Sequence, residues 1–274
     1  MKNYTGTELL LKSLSFHGVN NLFGCQNDRI IPKGDISRYH LNFIELKHDQ
    51  AAVHAADGYA RATGNPGIVI ISTAAGITNA VTGIATAYSD SVPIIVITGQ
   101  LFSNNSRAES DDEFNITGIY VPITKHILTV NTASEVASVV QQAYQIAAEG
   151  RPGPVIIELS NEALTGQDTV KTFVKPPQKM TKRDNDRSFE TALAFIEAAR
   201  KPVFFIGGGT IISGSADYLA EIVRKAGIPV VSSLMGLGAL PSSDPLHLGM
   251  LGMHGTFAAN KAVHHADLLV SIGV

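Results

Sequence analysis

Short apolar runs bounded by Gly or Pro alternate along the chain with longer stretches of helical periodicity. Residues 67–72 (GIVIIS) and 93–98 (PIIVIT) are apolar without interruption. That pattern belongs to strands buried on both faces, not to strands with one face in water. Residues 19–23, 154–159 and the shorter 43–46 complete the predicted strands of this half. Between them, 5–16, 50–62, 78–88 and 134–148 have helical length. Strand–helix alternation predicts an α/β fold built on a parallel sheet with helices on both faces.

The pattern breaks over 165–187, where Pro176-Pro177 and the polar run KMTKRDNDR show no apolar period. This segment reads as a linker between domains at 1–164 and 188–274. In the second domain the rhythm restarts, with helices over 189–199, 216–226 and 256–264 and strands over 203–206, 229–232 and 267–272. A three-strand parallel sheet that ends on an apolar strand leaves an edge and a face uncovered. The second domain is therefore expected to be incomplete.

Composition narrows the function classes. Of 274 residues, 45% are apolar and only 16% charged, which suits a packed core and excludes disorder. The net charge of −3 without a basic block argues against a nucleic-acid or anionic-membrane partner. Cys25 is the only cysteine, so an internal disulfide and a cysteine metal cluster are excluded. The N-terminus has no signal-type apolar core and no run is long enough to span a bilayer. A cytoplasmic protein is the expectation. From Ala51 to Gln100 the only charged residues are Asp57, Arg61 and Asp90, among many Ala, Gly and Thr. Close core packing explains this, and so does a face buried between subunits.

Few residues suggest chemistry by spacing alone. Asp49, in His48-Asp49-Gln50 before an Ala-rich helix, is either a helix N-cap or a functional carboxylate. His48 and His54 are six apart and share no helix face, so they are not a metal pair. Ser72-Thr73-Ala74-Ala75-Gly76 turns from a buried strand into a helix, where open parallel sheets bind ligands. Gly207-Gly208-Gly209 is a similar turn, either tight for its own sake or offering N–H groups to a phosphate. Arg151, before Pro152-Gly153-Pro154, is either solvated or bound to an anion. These residues indicate two α/β ligand-binding domains and no reaction.

Longer motifs go further. HDQAAVHAADGYARATG, TNAVTGIATAYSDSVPIIVITGQ and GRPGPVIIEL resemble thiamine diphosphate enzymes of the acetolactate (acetohydroxyacid) synthase group. SSLMGLGALP and LGMLGMHGTFAANKAVHHADLLVSIG resemble the middle domain of that family. The resemblance implies that 1–164 is the pyrimidine-binding domain and 188–274 part of a Rossmann-like middle domain. It implies a third domain, outside these residues, that holds Mg²⁺ and the diphosphate through a GDG motif. Asp49 stands where the family has the Glu of H-E-Q. That carboxylate bonds the pyrimidine ring nitrogen and favours the imino tautomer, which removes the thiazolium C2 proton.

By the same resemblance Thr73, Gly76 and Asn79 contact the cofactor, in a turn that is usually S-G-P-G. Gln26 and Asp112 line the substrate pocket. Gln26 lies in Gly24-Cys25-Gln26-Asn27-Asp28, where the family has G-Y-P-G-G, and Asp111-Asp112-Glu113 aligns with F-Q-E. Arg151, Gly207, Gly208, Gly209, Leu234, Met235, Met253, His254, Gly255 and Thr256 match segments that contact FAD. The implied protein is a homo-oligomer, at least a dimer, that joins two pyruvates into acetolactate with loss of CO₂, in branched-chain amino acid biosynthesis. The 274 residues alone are expected to be inactive. Two anions near a site for anionic 2-oxo acids oppose that substrate unless paired. A non-catalytic or regulatory ligand-binding protein, or one subunit of a split enzyme, is the alternative.

Overall fold

A computed structural model describes residues 3–25, 30–32, 36–99, 116–169 and 186–274. They form two compact units, Met1–Met180 and Thr181–Val274.

The first unit carries strands β1 (Tyr4–Thr5), β2 (Asn21–Gly24), β3 (Asn42–Glu45), β4 (Gly67–Ile71), β5 (Ile94–Gly99), β6 (His126–Val130), β7 (Val155–Leu159) and β8 (Gln167–Asp168). Its helices are α1 (Gly6–Phe16), α2 (Asp49–Thr63), α3 (Ala74–Asn79), α4 (Val81–Ser89), α5 (Ile116–Tyr120), α6 (Val136–Ala148) and α7 (Asn161–Thr165). Six strands pair in the order β3-β2-β4-β5-β7-β6, every pair parallel. β4 is buried along its whole length, as its uninterrupted apolar sequence requires.

Side chains alternate across this sheet and divide the core in two. Ile68, Ile70, Ile95, Ile97 and Ile157 pack with Leu10 and Leu14 of α1 and Val136 and Val140 of α6. Val69, Ile71, Ile94, Val96 and Ile156 pack with Ala52, Val53 and Ala56 of α2 and Ile84 of α4. α1 starts at a capping box in which Thr5 N donates to Glu8 at 2.8 Å and Glu8 N to Thr5 Oγ1 at 3.2 Å. α2 stops at Gly64, whose φ of 71° suits glycine.

Several features differ from the sequence pattern, the short helices α5 and α7 among them. β6 was not expected: its burial alternates and His126 and Thr129 face outward, so no apolar run marks it. The helix predicted over 78–88 is two, α3 and α4, and begins earlier because Thr73 caps it. The predicted linker begins with ordered structure, since β8 pairs antiparallel with β1.

The second unit contains α8 (Asp186–Ala198), β9 (Pro202–Ile206), α9 (Gly208–Ile212), α10 (Ala216–Ala226), β10 (Val230–Ser232), β11 (His247–Met250), α11 (Phe257–His265) and β12 (Leu268–Ile272). Its parallel sheet has four strands, ordered β11-β10-β9-β12, where three were predicted. The unexpected β11 contains Gly249 at φ 96° and is only half-buried, so no apolar run marks it. β12 is an edge strand and its Leu269 is exposed. Among the described residues, no helix is long and apolar enough to cross a membrane.

Candidate functional site

Chain order and sheet order diverge around β2. From β2 the chain runs to β3 on one side, then to β4 on the other. Such a reversal opens a crevice at the carboxyl ends of the strands. Cys25 follows β2, Asp49 opens α2 after β3, and Thr73 follows β4, so all three reach this crevice. β2 and β4 approach closely there: a Cβ on Gly24 would lie 2.5 Å from the Ile70 carbonyl oxygen.

Asp49 is not the helix cap. His48 holds that position with extended backbone, and its Nδ1 accepts from Gln50 N at 3.2 Å. Asp49 occupies the first helical turn, half-buried, with its carboxylate turned toward α3. Thr73 caps α3, its Oγ1 accepting from Gly76 N at 2.9 Å. A Cβ on Gly76 would lie 2.8 Å from both Asp49 Oδ1 and Thr73 Oγ1. Glycine at 76 thus makes room for the carboxylate, and Asp49, Thr73 and Gly76 come together. Asn79 is exposed at the end of the same helix.

Two further side chains feel the charge of Asp49, and neither was expected. Burial first, then the charge of Asp49, push the Cys25 thiol up to a pKa of about 11. Glu45 adds to that rise and Lys47 opposes it. Tyr120 is fully buried and its hydroxyl donates to the Ile77 carbonyl of α3. Burial, with the charge of Asp49 second, holds that phenol well above its ordinary range. Cys25 was legible as a residue directly after a strand, whereas nothing in the pattern marks Tyr120. Gln26 and Asp112 lie outside the described residues.

Arg151 binds the carboxyl end of α4. Its guanidinium donates to the Tyr88 and Ser89 carbonyls at 3.1 and 2.9 Å and to Ser91 Oγ at 2.7 Å. A cation there answers the unpaired carbonyls of a helix end.

In the second unit, Gly207–Gly209 follow β9, Leu234 and Met235 follow β10, and Met253–Thr256 follow β11. All therefore lie at the carboxyl edge of one sheet. Most of the glycines serve backbone packing: Gly207 N and Gly209 N donate to Ile272 and Gly273 carbonyls at 2.9 and 2.8 Å. A Cβ on Gly207 would lie 2.2 Å from the Gly273 oxygen, and one on Gly255 2.1 Å from the Met250 oxygen. Gly208 N remains, at the first position of α9, where a helix offers its N–H no acceptor. Thr256 caps α11, accepting from Ala259 N at 3.0 Å. His254 is exposed, and so are Leu234 and Met253, the latter by 91%, which gives this edge apolar contact surface. Among the described residues no His, Cys, Asp and Glu cluster suits a metal.

Residues 4–119 match the family described as thiamine pyrophosphate enzyme, N-terminal TPP binding domain. Residues 189–274 match the central domain of the same enzymes. The acetolactate synthase large subunit of Haemophilus influenzae is 40% identical over 288 residues, covering 100% of this chain and 49% of the relative. Acetolactate synthase isozyme 3 large subunit of Escherichia coli is 38% identical over 282 residues, with the same coverage. A probable acetolactate synthase large subunit of Methanocaldococcus jannaschii is 38% identical, covering 98% of this chain and 46% of the relative. The chain spans about half the length of the relatives it matches.

Proposed function

Because the chain belongs to the thiamine pyrophosphate (thiamine diphosphate) enzymes, we propose that Asp49 is its cofactor-activating carboxylate, within an enzyme that forms acetolactate from 2-oxo acids. The observation that carries this reading is the placement of the Asp49 carboxylate 2.8 Å from the position a Gly76 Cβ would take, at the sheet's switch-point crevice. A half-buried acceptor beside a glycine-cleared space fits the N–H edge of an aminopyrimidine.

When bound, the thiamine group supplies a carbon nucleophile that attacks the carbonyl of a 2-oxo acid. Asp49 accepts a hydrogen bond from the ring and stabilises the tautomer able to take up a proton. Thr73 and Tyr120 both hold the turn beside Asp49. One fixes the turn through Gly76 N, and the other fixes it through the Ile77 carbonyl. Buried strands β4 and β5 beneath this turn give it a rigid base.

The remaining assignments rest on resemblance and on the names of the relatives. Mg²⁺ and the diphosphate are assigned to residues beyond these 274. FAD is assigned to the carboxyl edge of the second sheet, with the Gly208 N–H and the exposed Leu234 and Met253 as its nearest support. The working protein is a cytoplasmic homo-oligomer, at least a dimer, and the 274 residues alone turn over no pyruvate. Gln26 and Asp112 belong to the substrate pocket.

The test is cofactor activation. In the enzyme carrying this chain, Asp49→Asn slows C2 hydrogen–deuterium exchange of bound thiamine diphosphate at least about 100-fold and leaves the melting temperature nearly unchanged, because His48 makes the cap. Equal exchange in wild type and Asp49→Asn removes Asp49 from the mechanism. Tight thiamine diphosphate binding without turnover of any 2-oxo acid would favour the ligand-binding alternative.

A further inference from the structure

Where the sequence pattern predicts one helix over 78–88 the fold has two, with Ala80 between them at φ −77° and ψ −13°. In an unbroken helix the Ile77 carbonyl would accept from the N–H four residues on, at Val81. Here α4 starts afresh at Val81, and the Ile77 carbonyl accepts from Ala80 N at 3.2 Å and from the Tyr120 hydroxyl. A donor 43 residues away in the chain thus serves a carbonyl at the break. Tyr120 is fully buried, so its hydroxyl has no water to turn to, and leaving Ile77 would strand it in the core.

What lies against the break gives it a consequence. Gly76 and Gly83 stand on either side of it. A Cβ at Gly76 would lie 2.8 Å from Asp49 Oδ1, and one at Gly83 would lie 2.7 Å from Val53 Cγ1 and 3.5 Å from the Gln50 carbonyl oxygen. α3 and α4 therefore both close on the start of α2, and the angle between them decides how α3 meets the Asp49 carboxylate. We propose that Tyr120 is a positioning residue for the cofactor: its hydroxyl holds the Ile77 carbonyl at the break and thereby keeps Gly76 against the Asp49 carboxylate. This rests on the assignment of Asp49 to the pyrimidine. Tyr120 acts through Asp49 and touches no ligand itself.

Variants of the enzyme carrying this chain separate this role from plain support of the core. Tyr120→Phe keeps the ring that fills the core and removes only the hydroxyl. Thr124→Val removes another buried bond of the same segment, Thr124 Oγ1 to the Tyr120 carbonyl at 2.8 Å, and leaves Ile77 untouched. Each substitution lowers the melting temperature by a few degrees, since each leaves one buried carbonyl without a donor. The deciding readout is C2 hydrogen–deuterium exchange of bound thiamine diphosphate. Tyr120→Phe slows it about tenfold, because a carboxylate displaced by a fraction of an ångström activates poorly. Thr124→Val exchanges as wild type does. On the Asp49→Asn background Tyr120→Phe slows exchange no further, because the two residues act as a unit.

Wild-type exchange in a folded Tyr120→Phe, when Asp49→Asn is slow, overturns the positioning role alone and leaves Asp49 in place. Equal slowing by Thr124→Val overturns it too, since the effect would then be one of stability. A tenfold loss repeated in full on the Asp49→Asn background overturns it as well, because Tyr120 would be acting through another group. Exchange indifferent to Asp49→Asn overturns the assignment of Asp49 and the positioning role with it, whatever Tyr120→Phe shows.

Discussion

Asp49 gains its chemical position from neighbours that each give up something. His48 takes the capping role, and position 76 gives up its side chain. Had Asp49 been the cap, its carboxylate would be spent on backbone N–H groups of α2 and turned from the crevice. Gly76→Ala tests the arrangement. The new Cβ would meet Asp49 Oδ1 and Thr73 Oγ1 at 2.8 Å, closer than a carbon tolerates, so the carboxylate must swing away. The expected outcome is an overpacking cost of about 1–3 kcal/mol in denaturant melts. Thiamine diphosphate affinity should fall about tenfold, measured on protein that is still folded. Retained affinity would show that the ligand does not depend on where this carboxylate points.

Among elements, α1 and α6 pack on the same face of the first sheet and meet at one defect. His17, at the end of α1, stacks on Tyr144 of α6 with ring centroids 4.4 Å apart and planes 8° apart. Its Nδ1 is buried without a hydrogen-bond partner. Burial lowers the His17 pKa below that of the unfolded chain, so folding favours the neutral ring. The linked stability is therefore full above the unfolded value near 6.5 and declines as pH falls from there toward the lowered folded pKa. His17→Phe keeps the stack and removes both the orphan nitrogen and the titration. Chemical denaturation at neutral and mildly acidic pH should show a gain of about 1 kcal/mol and a flatter pH dependence over that window.

The elements that sequence made legible are those whose periodicity is set by burial on both sides, such as β4 and β5. Those it concealed are half-buried, like β6 and β11, or take their order from a distant partner, as β8 does from β1. The site divides in the same way. A carboxylate at a strand–helix junction can be read from local spacing. The effect of Asp49 on Cys25 and the Tyr120 hydroxyl on Ile77 depend on which strands become neighbours, and no local pattern encodes that.

Across the whole molecule, both units place glycine turns at the carboxyl edge of a parallel sheet, but the glycines answer different demands. Gly76 makes room for a side chain, whereas Gly207, Gly236 and Gly255 make room for backbone. The first kind serves a site; the second holds a scaffold together. At the opposite edge of the second sheet, Asp267 accepts from Arg200 N and Lys201 N at 2.8 Å each, and the Lys201 and Arg200 amides together hold its pKa below the usual carboxylate range. Its contribution to stability is present above the unfolded carboxylate value and lost as pH falls through the lowered folded one. Asp267→Asn should therefore flatten the acid limb of the pH–stability curve, followed by thermal melts down to acidic pH.

The same distinction separates neighbouring glycines of the second unit. A Cβ at Gly207 meets the Gly273 carbonyl oxygen at 2.2 Å, backbone that cannot step aside. Gly207→Ala should cost about 3 kcal/mol, seen as a lower denaturation midpoint with or without ligand. A Cβ at Gly208 meets Met235 alone, its Cβ at 3.0 Å and its carbonyl oxygen at 3.3 Å, which a shift of a few tenths of an ångström relieves, and alanine is a better helix former than glycine in the first turn it would occupy. Gly208→Ala should therefore leave stability within about 0.5 kcal/mol of wild type. Its effect should appear only against a dinucleotide: if FAD approaches the N–H at position 208, the added methyl obstructs that approach, and flavin affinity falls while the melt without flavin does not move. A flavin titration of both variants beside wild type decides the matter. Equal affinity in wild type and Gly208→Ala would mean that the triple glycine is scaffold throughout and that any flavin lies elsewhere on the edge.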